Sequence, residues 1–202
     1  MLTKEQLNIL SVFKKDLFSS LTFRQIRQQS RQKSNNMVQI AVKEFQKQGI
    51  VKTKETGDVT TYYLNLNNNL TLSYFNLMNE SEIIKSKIPQ ILLDDIKNRL
   101  FKHTEFFILI VFGSYAKNEA TKKSDLDIAL IVESEQTKKE IIPFLETIKR
   151  REVIPIDYHI FTRNEFLEML RADSENVGKQ IFKNNMVYYG YLPYCNLVKA
   201  KK

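Results

Sequence analysis

Residues 106–112 read FFILIVF, and the run ends abruptly at Gly113-Ser114. Seven branched and aromatic residues in succession predict a short buried strand, and they are far too few to span a bilayer. After ten further residues a second strand pattern begins, DLDIALIVE, opening with Asp125 and Asp127. Alternation along a strand puts Leu126, Ile128, Leu130 and Val132 on a core-facing row and the two aspartates together on the other. A core has no use for that second row.

The residues around it suggest one. Gly113 permits a tight turn and close approach of a ligand to the backbone. Ser114 adds a hydroxyl at the start of a predicted short helix, where exposed N–H groups favour phosphate. Two adjacent carboxylates repel unless a cation lies between them, and Mg²⁺ or Mn²⁺ with oxygen ligands is the simplest choice. A pair of metals about 3.5–4 Å apart wants a third acidic group. VIPIDYHIF supplies Asp157, with His159 on its row, while Ile154, Ile156, Tyr158 and Ile160 take the other. Lys117 is a further candidate for phosphate. His159 reads equally well as a structural histidine.

Gly113-Ser114, ten residues, then Asp125-x-Asp127 resembles the nucleotidyltransferase superfamily that includes DNA polymerase β, and most of all its minimal nucleotidyltransferases. Their motif is matched at Gly113, Ser114, Ala116, Ser124, Asp125 and Asp127. Lys117 stands where arginine is usual and Asn118 where glycine is usual. A lysine lacks the bidentate fork of arginine, whereas asparagine tolerates left-handed backbone. The resemblance implies transfer of a nucleoside monophosphate from an NTP to an acceptor hydroxyl. Asp125 and Asp127 would hold the metal bound to the triphosphate, and Asp157 would share in a second. It also implies an antitoxin role as an alternative, with a toxin or other protein as partner.

The formal charge of +8 is unevenly spread. Residues 1–64 hold eleven Lys and Arg against five Asp and Glu, whereas residues 65–150 are balanced. This asymmetry predicts a polyanionic partner for the first third. Thr3 with Gln6 forms a capping-box pattern ahead of a first helix, and Thr22 is an N-cap for a second. A third helix opens at Ser34, with Met37, Ile40, Ala41 and Phe45 as its predicted buried stripe and Gly49 as its stop. Thr56-Gly57-Asp58 sits between two β-rich runs and predicts a hairpin.

Three helices and a hairpin in this order resemble a winged helix-turn-helix domain over residues 1–66. That likeness implies a recognition helix in a DNA major groove, with Asn35, Asn36 and Gln39 near base edges. Arg24, Arg27, Arg31, Lys33, Lys43, Lys52 and Lys54 would hold phosphates. Pairing on two half-sites makes a homodimer one option.

The expected fold class is thus α+β in two domains. A linker or docking segment is expected over 67–82, a nucleotidyltransferase-like domain with a mixed sheet flanked by helices over 83–195, and a frayed basic tail over 196–202. In the linker, Leu70, Leu72, Tyr74, Phe75, Leu77 and Met78 call for burial. The single cysteine, Cys195, excludes an intramolecular disulfide and a cysteine zinc cluster. No leader pattern is evident at the start, so a cytoplasmic location is expected. Two functions compete: a DNA-associated nucleotidyltransferase, and a DNA-binding regulator or antitoxin whose second domain only senses nucleotide or docks proteins.

Overall fold

In the computed structural model, which describes residues 1–200, the first helix starts at a reciprocal cap. The Gln6 N–H donates to the Thr3 hydroxyl and the Thr3 N–H donates to the Gln6 side chain. Helix α1 (Lys4–Leu10) then runs into a 3-10 turn over Ser11–Lys15. Strand β1 (Ser20–Thr22) leads into α2 (Phe23–Gln29), which repeats the device with Thr22 and Gln25. Ser34 caps α3 (Asn35–Lys47) by accepting from the Met37 N–H.

Gly49, at φ 68°, ends α3 in the left-handed conformation. The Gly49 N–H bonds back to the Gln46 carbonyl and the Ile50 N–H to that of Phe45, a Schellman closure. Phe45 and Ile50 are both fully buried. Strands β2 (Val51–Thr56) and β3 (Val59–Leu64) form the hairpin around Gly57 and Asp58, with Thr56 paired to Val59. The three strands make an antiparallel sheet in the order β1-β3-β2.

One expectation fails in this half of the chain. The buried row of α3 is Val38, Ala41, Val42 and Phe45, so Met37 and Ile40 face solvent instead of the core. The stretch expected as a linker or docking segment lies mostly in one helix, α4, which spans Asn69–Lys85 without interruption. Leu72, Tyr74 and Phe75 are buried as expected, whereas Leu70 and Leu77 are exposed. The Thr71 hydroxyl reaches the Ile50 carbonyl and Tyr74 accepts from the Leu2 N–H, which fixes the start of this helix to the first unit.

Compactness divides the chain into two units, Met1–Met78 and Asn79–Lys202. In the second, α5 (Gln90–Leu100) starts directly after Pro89, whose ring cannot continue a preceding helix. It precedes β4 (Phe107–Phe112), the four-residue helix α6 (Gly113–Ala116) and β5 (Leu126–Val132). Next come α7 (Glu135–Arg151), β6 (Ile156–Thr162), α8 (Arg163–Arg171), α9 (Val177–Lys183), β7 (Asn185–Tyr189) and α10 (Tyr191–Lys199).

The sheet order is β6-β5-β4-β7, with β5 and β6 parallel and the other pairs antiparallel. One face builds the core from Leu126, Ile128, Leu130 and Val132 with Phe107, Leu109 and Val111, under Leu93, Ile96 and Leu100 of α5 and Ile141, Leu145 and Ile148 of α7. Tyr158 lies on this side and donates to Glu146 of α7; its phenol is pushed up to about 12 by burial and by that carboxylate. The expected frayed tail is corrected up to residue 199: α10 holds Leu197 and Val198 buried. Lys201 and Lys202 lie outside the described residues.

Candidate active site

The site forms where β4 stops. Phe112 is the last residue of the strand, and Gly113 turns the chain at φ 63° into α6. A Cβ placed on Gly113 would fall 1.9 Å from Oδ2 of Asp127, so the carboxylate occupies the space that any side chain at 113 would need. Glycine is therefore required twice here, for its left-handed backbone and for its empty flank.

Asp127 sits one residue into β5, and the parallel register sets Asp127 directly beside Asp157 on β6. Neighbouring strands are about 4.8 Å apart, so the two backbones bring their carboxylates onto one patch. Asp125 precedes β5 by one residue and is exposed. Burial raises the Asp127 carboxyl above the usual aspartate range, and the charges of Asp157 and then Asp125 push it further. The charge of His159 and a hydrogen bond from the Ser114 N–H act the other way without cancelling the rise. Asp127 is thus a half-buried carboxyl whose ionised form burial disfavours first and two neighbouring carboxylates disfavour further.

Asp157 is more open, with 55% of its side chain exposed, and Oδ2 lies 3.7 Å from Nε2 of His159. The His159 ring stands between Phe112 and Phe161, 5.8 and 5.9 Å away by centroid. Phe112 was not foreseen in this role. Its signal was available, since alternation from the buried Ile108 and Ile110 aims it to the Asp127 side of the sheet.

The loop between turn and carboxylates is closed on itself. The Thr121 N–H donates to the Ser124 hydroxyl at 2.9 Å, so that motif serine shapes the loop. Asn118 adopts φ 58°, the left-handed backbone that its position beside the turn requires. Lys117 caps α6 and is exposed, as are Lys122 and Lys123. Ser114 is half-buried beside Gly113.

Three carboxylates are the hard oxygen donors that a divalent cation of the Mg²⁺ or Mn²⁺ kind selects. Asp125, Asp127 and Asp157 fit such an ion by donor type and by backbone placement. Their side chains are not drawn together, however. Among the described residues no three His, Cys, Asp or Glu groups are gathered closely enough to hold a metal ion.

The candidates for DNA contact lie on the first unit. Arg31, Lys33, Asn35, Asn36, Gln39, Lys43, Lys52 and Lys54 are all exposed. Arg31 adopts φ 54° in the turn between α2 and α3. Asn35 is engaged by Nη1 of Arg27 at 2.6 Å, which ties up its carbonyl oxygen. Asn36, Gln39 and Lys43 point outward from α3, and Lys52 and Lys54 share one face of β2, the edge strand next to β3. Among the described residues no helix is long and apolar enough to cross a membrane.

No curated protein and no solved structure matches the chain. Residues 94–189 match the family model described as Polymerase beta, Nucleotidyltransferase, and this match supports the nucleotidyltransferase superfamily for the second unit.

Proposed function

We propose that the chain is a DNA-associated nucleotidyltransferase, which moves a nucleoside monophosphate from an NTP to an acceptor hydroxyl and releases pyrophosphate. The observation that carries the reading is Asp127: seated over Gly113, paired in register with Asp157, and raised by burial and by both neighbouring carboxylates. A stable core would place no such trio at one end of the sheet. The family match over residues 94–189 supports the same chemistry in general terms.

Members of this superfamily typically use divalent metals, and Asp125, Asp127 and Asp157 are the residues that would hold them. When bound, the cation supplies neutralisation of triphosphate charge and a more acidic acceptor hydroxyl. The chain's own contribution is positional. Gly113 lets the phosphates approach the backbone, the Ser114 hydroxyl can donate to a phosphate oxygen, and Lys117 adds a cation at the end of α6. The buried face of β5 holds Asp127 in place, while Asp125 and Asp157 lie on its solvent side.

We further propose that the first unit is a winged helix-turn-helix domain over residues 1–66 that brings this site to DNA, with residues 67–82 joining it to the catalytic domain at 83–195. Its exposed cations and charge excess support that reading. A second reading has one observation in its favour: the three carboxylates are not gathered into a ready metal cluster. That fits a regulator or antitoxin which senses nucleotide without transferring it.

Incubation with NTPs labelled at the α-phosphate, Mg²⁺ and a lysate as acceptor source separates the two. Transfer of label to a macromolecule with pyrophosphate release, lost in Asp127→Asn, supports the enzyme. Nucleotide binding with no label transfer under any condition supports the sensor.

A further inference from the structure

The outward ridge of α3 carries a side chain that phosphate binding does not use. Opposite the buried row of Val38, Ala41, Val42 and Phe45, helical spacing sets Asn36, Ile40, Lys43 and Lys47 on the solvent side. Ile40 lies at the centre of that ridge and is 50% exposed. An isoleucine there does nothing for the fold, since the opposite face already supplies the core. Its helical neighbours narrow what it can meet: Asn36 and the exposed Met37 one turn before it, Lys43 and Glu44 one turn after it, and Lys47 beyond; the one anion among them, Glu44, is engaged by the Gln48 side chain at 2.7 Å.

We propose that this ridge reads A·T pairs in the major groove of duplex DNA, with Ile40 packed on the thymine C5-methyl and the Asn36 amide paired to adenine. The inference rests on the DNA-binding part of the function proposed above. In the major groove only an A·T pair displays a methyl group, and adenine presents the acceptor and donor edge that an amide matches in two bonds. Asn35 is not equivalent to Asn36, because Arg27 already holds its side chain.

Charge complementarity selects DNA over a protein surface. The ridge is rimmed by Lys43 and Lys47, and residues 1–64 hold eleven cations against five anions. The hairpin tip is different, with Glu55 and Asp58 around Gly57 and no cation beyond Lys54. Phosphates would be repelled from that tip, which leaves sequence reading to α3.

The test selects duplexes from a random-sequence DNA pool with the full-length protein. Each thymine of the enriched duplex is then replaced in turn by deoxyuridine, which removes only the methyl. The expected motif contains A·T pairs, and deoxyuridine at one or two positions weakens binding about fourfold, the share of one buried methyl. Ile40→Ala and Ile40→Ser should bind more weakly and lose most of the distinction between thymine and uracil, whereas Ile40→Thr, which keeps a methyl, should retain part of it; melting should change little because residue 40 is half-exposed.

Tolerance of deoxyuridine at every position, an enriched motif of G·C pairs alone, or an Ile40→Ala protein that keeps the discrimination would each overturn the inference while leaving DNA binding intact. Failure to enrich any duplex, with no salt-sensitive binding to the pool, overturns the DNA-binding reading and takes the inference with it.

Discussion

A single Cβ at residue 113 would remove the space in which Asp127 sits, which makes glycine the least replaceable residue of the site. Gly113→Ala should cost about 1–2 kcal/mol for the left-handed backbone alone. It should also weaken metal-dependent NTP binding about tenfold or more, since the carboxylate must be displaced. Denaturant melts and calorimetry read the two effects separately, and a variant that binds NTP normally would contradict the packing argument.

Glu165 supports a pH prediction. Burial acts to raise its pKa, but Lys138 at 2.8 Å and the Thr162 N–H outweigh it and hold the carboxyl below the ordinary 4.5. A depressed pKa means stability that is present above 4.5 and lost as pH falls through the lower folded value. Glu165→Gln keeps the cap of α8 but loses the charge. It should therefore melt below the parent at neutral pH, by less than about 1 kcal/mol for so exposed a pair, and converge with it in acid.

At the scale of elements, β7 is an edge strand closed by one residue. The Asn79 side-chain amide donates to the Val187 carbonyl at 2.8 Å, and its oxygen accepts from the Val187 N–H at 3.2 Å. Asn79→Leu leaves both backbone groups buried and unpaired, which should lower unfolding free energy by about 2 kcal/mol. Hydrogen exchange at the Val187 amide should accelerate more than exchange in β5; uniform acceleration would show that the clamp is not local.

The sequence already contained much of this level. The Asp125, Asp127 and Asp157 row, the hairpin at Gly57 and the stop at Gly49 all follow from local chemistry: alternation, two-residue turns and left-handed glycine. What escaped was set by distant partners. In α3, apolar residues at 37, 38, 40, 41, 42 and 45 admit two overlapping stripes, and only packing against α1 and α2 chooses Val38 and Val42 over Met37 and Ile40. Helix α4 is apolar around much of its circumference and starts in an asparagine cluster, so periodicity gave no helical signal. Strand β1 has three residues and exists through its pairing with β3. Asn79 could not be read at all, because its partner is 108 positions away.

At the scale of the whole molecule, the charge distribution separates a basic first third from a nearly balanced remainder. If the first unit engages phosphates, log K for duplex DNA should fall linearly with log salt, and each lysine removed from a phosphate contact should reduce the slope by about 0.9. Lys43→Gln, Lys52→Gln and Lys54→Gln test this one at a time. None should alter NTP binding, because they lie on the other unit. A salt-independent affinity would indicate a protein partner for this face.

Asp125, Asp127 and Asp157, set by β5 and β6 beside the Gly113 turn, are proposed to close around a divalent cation and a nucleotide. This closure is tested most directly by calorimetric titration of each NTP into the protein with and without Mg²⁺, alongside Asp125→Asn/Asp127→Asn. At least one NTP is expected to bind in a way that requires the metal and disappears in the double variant. Binding that survives both substitutions, or the absence of binding by every NTP, would contradict it.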